Sequence, residues 1–206
     1  MPLPVTAPEA PDAPGDAGLE ARLKAEVGRQ LATLREELER KIEEVRARTV
    51  DDRATIVVFS GDLDKVLAAF VIATGAATAG LQTSMFFTFW GLSALKRAGA
   101  AGGAKGLKER LLAAMTPASS RDLGTSRMNF LGMGARMLRS MMAEKQIATL
   151  EELMEISRDL GVRMMACTMS MDAMGVAKEE LLDGLEYGGV AAYMADASRS
   201  RVTLFI

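Results

Sequence analysis

The 206-residue chain has one cysteine, Cys167, and no histidine. Cys167 is therefore the one candidate for covalent chemistry at a soft nucleophile, and a thiolate needs neither a metal nor an imidazole to react. The lack of histidine excludes Ser-His and Cys-His pairs and histidine-ligated metals built from this chain. One cysteine also excludes an intramolecular disulfide, a four-cysteine zinc site and a chain-encoded iron–sulfur cluster. Thr168, Ser170 and the Ser60 hydroxyl can supply hydrogen bonds to a thiolate without adding permanent charge. Twelve of the fifteen methionines fall between Met128 and Met194, and Met164, Met165, Met169, Met171 and Met174 bracket the cysteine. Such a cluster serves as adaptable core packing or as a dry, polarizable pocket around a sulfur atom.

The cysteine must be held by its elements. Residues 162–167 read as a strand, with a short helix expected from Ser170 or Met171. Ligands in open parallel sheets bind at the carboxyl ends of strands, and helix N-termini favour anions. A lone cysteine is equally at home as a small buried hydrophobe. On the residues alone both readings stand.

Upstream, residues 54–59 form a β-branched run that predicts a central parallel strand. Asp62 is placed to N-cap a helix to about Ala79, with Gly80 as its stop. The next strand is expected over 83–89, which completes a βαβ unit. A loop follows over 98–106. Its glycines do not follow a strand as G-x-G-x-x-G, so it does not read as a phosphate site. Helices are expected over 128–143 and from Thr149 to Leu160, the latter opened by a capping box and stopped by Gly161. Further short elements are a turn of helix near Lys178, a strand at 185–187, a helix from Gly188-Gly189 to about Asp196, and a closing strand at 202–206. The alternation implies an α/β fold with an open, mostly parallel five-stranded sheet and flanking helices over 54–206.

Residues 19–49 predict an amphipathic helix ahead of that domain. Leu19, Leu23, Val27, Leu31, Leu34, Leu38, Ile42 and Val45 make seven steps over 26 residues. The mean step is about 3.7, near the straight-helix period and above the 3.5 of a left-handed coiled coil. The stripe must bury on its own domain or on another subunit, and we expect a homo-oligomer. Residues 1–18 are rich in proline and alanine and read as a disordered tail. They carry no lysine or arginine and no apolar run, so no secretion signal is evident and a cytoplasmic protein is expected.

Val66 to Leu95 is uncharged over thirty residues, long enough to consider a membrane span. Glycines and polar residues break it near the middle, and a buried helix followed by a buried parallel strand explains it better. Net charge is −2, which gives no reason to expect nucleic acid. Lys96 to Lys145 holds ten basic and three acidic residues, a local net of +7. That stretch is either a solvated face or a landing surface for an acidic partner.

Four segments carry a resemblance: Ser60-Gly61-Asp62-Leu63-Asp64-Lys65, Phe86 to Gly91 with Trp90, Ala166 to Gly175 around Cys167, and Tyr187-Gly188-Gly189-Val190-Ala191. Together they resemble the DsrE/DsrF-like family, in the DsrE subgroup often labelled peroxiredoxin-like. The Cys-Thr-Met-Ser-Met-Asp segment is the most specific. The resemblance covers about 54–206. It implies a Rossmann-like sheet, oligomerisation, and sulfur trafficking through a persulfide on Cys167, with Ser60, Gly61, Asp62, Trp90, Thr168, Ser170, Tyr187, Gly188 and Gly189 as binding residues. It implies no cofactor, and a small sulfur-carrier protein (TusA-like) or another persulfide donor or acceptor as partner. Some relatives have a second cysteine. This chain does not, so an internal relay is not supported. The functional expectation is a sulfur carrier or sulfurtransferase. The alternative is a non-enzymatic oligomeric scaffold or ligand-binding module, and a one-cysteine thiol peroxidase is a weaker third.

Overall fold

The computed structural model describes residues 16–48, 50–100 and 106–206, without the side chains of 16, 17 and 46–48. The chain divides into two units, 1–49 and 50–206. In the first, helix α1 runs from Asp16 to Arg48, so the tail expected over 1–18 ends sooner. The rest of that tail lies outside the described residues, as does part of the 98–106 loop.

The second unit is the expected α/β sheet. Its strands are β1 (Asp51–Val58), β2 (Gln82–Phe87), β3 (Arg163–Cys167), β4 (Glu186–Gly188) and β5 (Ser200–Phe205). They lie in the order β4-β3-β2-β1-β5, and every neighbouring pair is parallel. Helices α2 (Leu63–Thr78), α3 (Leu107–Met115), α4 (Met133–Glu144), α5 (Leu150–Asp159), α6 (Thr168–Met174) and α7 (Val190–Ala197) connect and flank them.

Strand alternation gives the sheet two unequal faces. Ile56 and Val58, Met85 and Phe87, Met164 and Ala166 point into the main core, where α2, α5 and α6 supply Phe70, Leu153 and Met171. Phe70 and Phe87 meet there with ring centroids 5.9 Å apart. Val57, Phe86, Met165 and Cys167 form a second, smaller cluster on the other face. Its cover comes from α7, through Tyr193 stacked on Phe86 at 5.2 Å.

The uncharged run resolves into α2, β2 and a 3-10 turn, Phe89–Leu95. Among the described residues no helix is long and apolar enough to cross a membrane. The strand expected to reach Phe89 stops at Phe87. There the chain bends over the end of β1: Thr88 N–H donates to the Val58 carbonyl at 3.0 Å and Gly91 N–H to the Phe59 carbonyl at 2.9 Å. Phe89 takes a positive φ of 46° to make the bend. Gly91 crosses so close to β1 that a Cβ would overlap the Val58 carbonyl oxygen.

Other boundaries moved for local reasons. Asp62 stands at the N-cap of α2 but makes no capping bond. Its carboxylate instead accepts from Ser60 Oγ at 2.9 Å and Lys65 Nζ at 2.7 Å, while Leu63 N–H donates to the Gly124 carbonyl. The helix expected from 128 begins at Met133, because Met128 and Leu131 adopt positive φ and break the first turn. The α5 capping box is present: Glu152 N–H donates to Thr149 Oγ1 at 3.3 Å, and Thr149 N–H donates to the Glu152 carboxylate at 2.7 Å.

Gly91→Ala should therefore destabilise the domain by about 3 kcal/mol, at the upper end of the cost of overpacking. The fall in urea midpoint checks this; a midpoint unchanged from wild type would mean that β1 and the turn are not held this tightly.

Candidate functional site

Parallel pairing brings the candidate residues to one edge of the sheet, at the carboxyl ends of its strands. They collect there in two groups.

The first group lies beyond β1. Ser60, Gly61 and Asp62 make a tight polar turn, in which Asp62 N–H donates back to Ser60 Oγ at 3.1 Å. Phe59 and Ser60 N–H both donate to the Ile206 carbonyl, at 2.7 and 3.2 Å, which ties the turn to the end of β5. A Cβ on Gly61 would sit 2.7 Å from the Trp90 carbonyl oxygen, so only glycine lets the two turns meet. These residues, with Trp90, Lys65 and Asn129, line an open cavity of about 420 Å³. Phe59 adds an aromatic wall, with Phe89 at 5.8 Å and Phe205 at 5.7 Å. The Asp62 carboxylate neutralises the Lys65 ammonium at 2.7 Å, so the polar turn and aromatic rim suit a small polar ligand without net charge and with a flat or apolar body.

The second group surrounds Cys167. The register sets Cys167 directly beside Gly188. The cysteine is fully buried, at 0% exposure, and packs with Val57, Phe86, Met165 and the ring of Tyr193. Burial pushes the Tyr193 phenol above its ordinary value, so it is a neutral cover at physiological pH. A Cβ on Gly188 would come within 2.8 Å of Met165 Sδ and 3.1 Å of Ala192 Cβ, so the strand beside the thiol has no spare volume. Gly189 is the N-cap of α7.

Helix α6 starts at Thr168, two or three residues earlier than expected. Cys167 is thus its N-cap, yet the thiol makes no capping bond, because its side chain turns to the α7 face. Ser170 points elsewhere: its buried hydroxyl pairs with Thr88 Oγ1 at 2.7 Å, locking α6 to the end of β2. Tyr187 also faces the main core, in register with Ala166 and under Lys178 Nζ at 4.6 Å. Of the five bracketing methionines only Met165 belongs to the cysteine's cluster; Met164, Met171 and Met174 fill the main core, and Met169 is exposed. The pocket around the sulfur is therefore mostly aromatic and aliphatic.

Cys167 does not line the cavity at Ser60 and Trp90, so the structure links the two groups through the Thr88–Ser170 bond and not through shared space. Among the described residues no cluster of His, Cys, Asp or Glu could hold a metal ion. Sequence reasoning missed Val57, Phe86 and Tyr193. Alternation along the strands could have found the first two once the register was known; α7 has no signal that places Tyr193.

A profile of the DsrE/DsrF/DrsH-like family matches residues 50–205. The chain belongs to that family. Among family relatives, the uncharacterized protein YrkE of Bacillus subtilis is 45% identical over 154 residues, covering 75% of this chain and 96% of YrkE. The sulfur carrier protein DsrE2 of Allochromatium vinosum is 32% identical over 167 residues, covering 75% of this chain and 98% of that protein. The crystal structure of YchN from E. coli superposes with a TM-score of 0.43 at 13% identity, covering 75% of this chain and 99% of YchN. The family match leaves out α1. Family membership and the sulfur carrier relative together support a sulfur-related role and sulfur-transfer partners in general.

Ser170→Ala should leave the Thr88 hydroxyl buried and unpaired, at a cost of about 1–3 kcal/mol. Thr88→Val with Ser170→Ala removes both polar groups and should recover part of the loss. Equal losses for the single and double variants in chemical denaturation would show that the pair does not hold α6.

Proposed function

We propose that the protein carries sulfane sulfur as a persulfide on Cys167 and hands it to the thiol of a partner protein. The observation that carries the reading is the place of the chain's single thiol, at the carboxyl edge of a parallel sheet under a thin cover. The relative named as a sulfur carrier agrees with it.

In loading, the Cys167 thiolate attacks the outer sulfur of a donor persulfide. The donor's S–S bond breaks, its thiolate leaves, and a Cys167 persulfide remains. In unloading, an acceptor thiolate attacks that outer sulfur and Cys167 leaves as the thiolate. Neither step changes the net oxidation state, and neither needs histidine, metal or a second cysteine of this chain. A reducing, cytoplasmic setting keeps the lone thiol free between rounds.

A buried thiol has to be uncovered for exchange. Helix α7 is the element that would move: it has eight residues, none of them is buried, and its polar ties to the sheet are the ion pairs of Asp196 with Arg53 at 3.2 Å and Arg163 at 3.0 Å. Its shift would expose the sulfur while Val57, Phe86 and Met165 stay in the sheet. Closed again, the same groups shield the persulfide from water and stray thiols.

The docking surface in this reading is the basic stretch, which packs on the main-core side of the sheet through Ala135 and Met142, so the partner's thiol must reach Cys167 around the carboxyl edge of the strands. There α3 and α4 expose Leu111, Met115, Met133, Met137 and Met141 beside Arg110, Arg121 and Arg136. Leu131, with positive φ, is 99% exposed at the tip before α4. Apolar anchors among arginines suit an acidic protein surface, such as that of a TusA-like carrier.

Full burial of Cys167 is the observation that favours the second reading, a scaffold or ligand-binding module in which the cysteine is only packing. Mass spectrometry of the folded chain after exposure to a donor persulfide separates the two. We expect a +32 Da adduct in wild type and none in Cys167→Ala. Alanine is the cleaner variant, because serine would bury a hydroxyl in an apolar cluster. Transfer to an acidic carrier should slow as salt rises. No adduct on the folded wild type would leave the scaffold reading in possession.

A further inference from the structure

We propose that α1 pairs with α1 of a second copy of this chain, parallel and in register, through an eleven-residue repeat. The proposal is independent of the sulfur-carrier reading. All eight stripe residues of α1 are 44–67% exposed. Together they present apolar area on the order of the ~800 Å² per partner that a specific interface buries. Seven of the eight fall on a strict repeat. Leu23, Leu34 and Val45 are eleven apart; so are Val27 and Leu38, and so are Leu31 and Ile42. Eleven residues in three turns is about 3.67 per turn, a period that keeps the stripe on one side of a nearly straight helix with a slight right-handed coil. A face that merely caps an irregular surface has no reason to repeat so regularly; a face that meets its own copy does.

The charges bordering the stripe choose the direction. One border carries Lys24, Arg35 and Glu39, and the opposite border carries Glu26, Glu37 and Lys41. In a parallel pair each border meets the opposite border of the other helix. Lys24 then lies beside Glu26 of the second copy, Arg35 beside Glu37, and Glu39 beside Lys41, always with the same offset of two residues. An antiparallel pair sets each border against its own reverse, which keeps Lys24 near Glu39 and Glu26 near Lys41 but leaves Arg35 and Glu37 without an opposite charge. Within one helix these side chains already form ion pairs, Glu26–Arg29 at 2.8 Å, Arg35–Glu39 at 3.2 Å and Glu37–Lys41 at 3.4 Å. Exposed pairs of this kind are weak, so exchanging them for pairs across the interface costs little.

Cysteine cross-linking of the full-length chain tests this, with the native thiol replaced by Cys167→Ser and, in parallel, by Cys167→Ala. Leu23→Cys and Val45→Cys lie near opposite ends of the stripe, and Glu36→Cys lies on the far side of the helix. Under mild oxidation with diamide, Leu23→Cys alone and Val45→Cys alone should each give a reducible dimer on a non-reducing gel. Glu36→Cys should remain monomeric. Dimers that form only when the Leu23→Cys and Val45→Cys proteins are mixed would make the pairing antiparallel. Absence of cross-links at 23 and 45, or equal cross-linking at 36, would overturn the interface altogether.

Discussion

The register of β3 against β2 is the constraint on which the rest of the site depends. Met85 pairs with Met164 and Phe86 with Met165, and that registration sends Ala166 into the main core and Cys167 to the opposite face. Strand side chains alternate, so a slip of one residue would exchange them. The thiol would then enter a thick core among Phe70 and Phe87, and a far larger part of the domain would have to open to reach it. Two features defend the register: Phe87 fills the core face, and Arg163 at the start of β3 binds Glu186 of β4 at 2.6 Å. The Glu186 contact holds the Arg163 guanidinium well above its ordinary value, and the same contact lowers the Glu186 carboxyl; the contact is therefore fully formed near neutral pH and weakens only in acid.

The alternation of elements was legible because each strand combined a β-branched or apolar run with a glycine or a polar stop. β1, α2, α5 and β3 all appeared within a few residues of their predicted places. The end of β2 shows why a boundary moved. Where Phe89 takes positive φ, the backbone follows a tertiary contact against local preference. Phe86-Phe87-Thr88-Phe89 has strong strand character, yet the chain turns after Phe87 because Thr88 and Gly91 bond to the end of β1. That contact joins segments thirty residues apart, and no window of sequence contains it.

The candidate cysteine was legible in the sequence, and its surroundings less so. One cysteine in the whole chain singles itself out by count. Its exposure could not be read, because exposure depends on which face of the sheet α7 covers. The methionines around it in sequence suggested a sulfur-lined pocket, but alternation distributes Met164 and Met165 to opposite faces and α6 carries Met171 and Met174 into the main core. Sequence proximity to a reactive atom is a poor guide in a strand–helix junction, where consecutive residues diverge. The Ser60 turn and Trp90 were better placed by reasoning, since both occupy chain reversals at strand ends and such reversals in a parallel sheet share one edge.

The two faces of the sheet also divide stability from access. The main core buries Phe70, Phe87, Ile56 and Leu63 completely, and each such side chain contributes about 1.5–3 kcal/mol relative to exposure. Uncovering it locally would unfold the domain. The α7 face has four buried apolar residues and one partly buried aromatic cover, so its opening sacrifices the contacts of Tyr193 and the ion pairs of Asp196 with Arg53 and Arg163 but leaves the main core intact. A group on that face can be sealed for most of the time and still be reached through a low-energy local opening. Cys167 is on that face because the strand period puts it there, one residue beyond Ala166. A carrier of labile sulfur requires this pairing of shielding with inexpensive release, and a cysteine of purely structural use would be served equally well by either face.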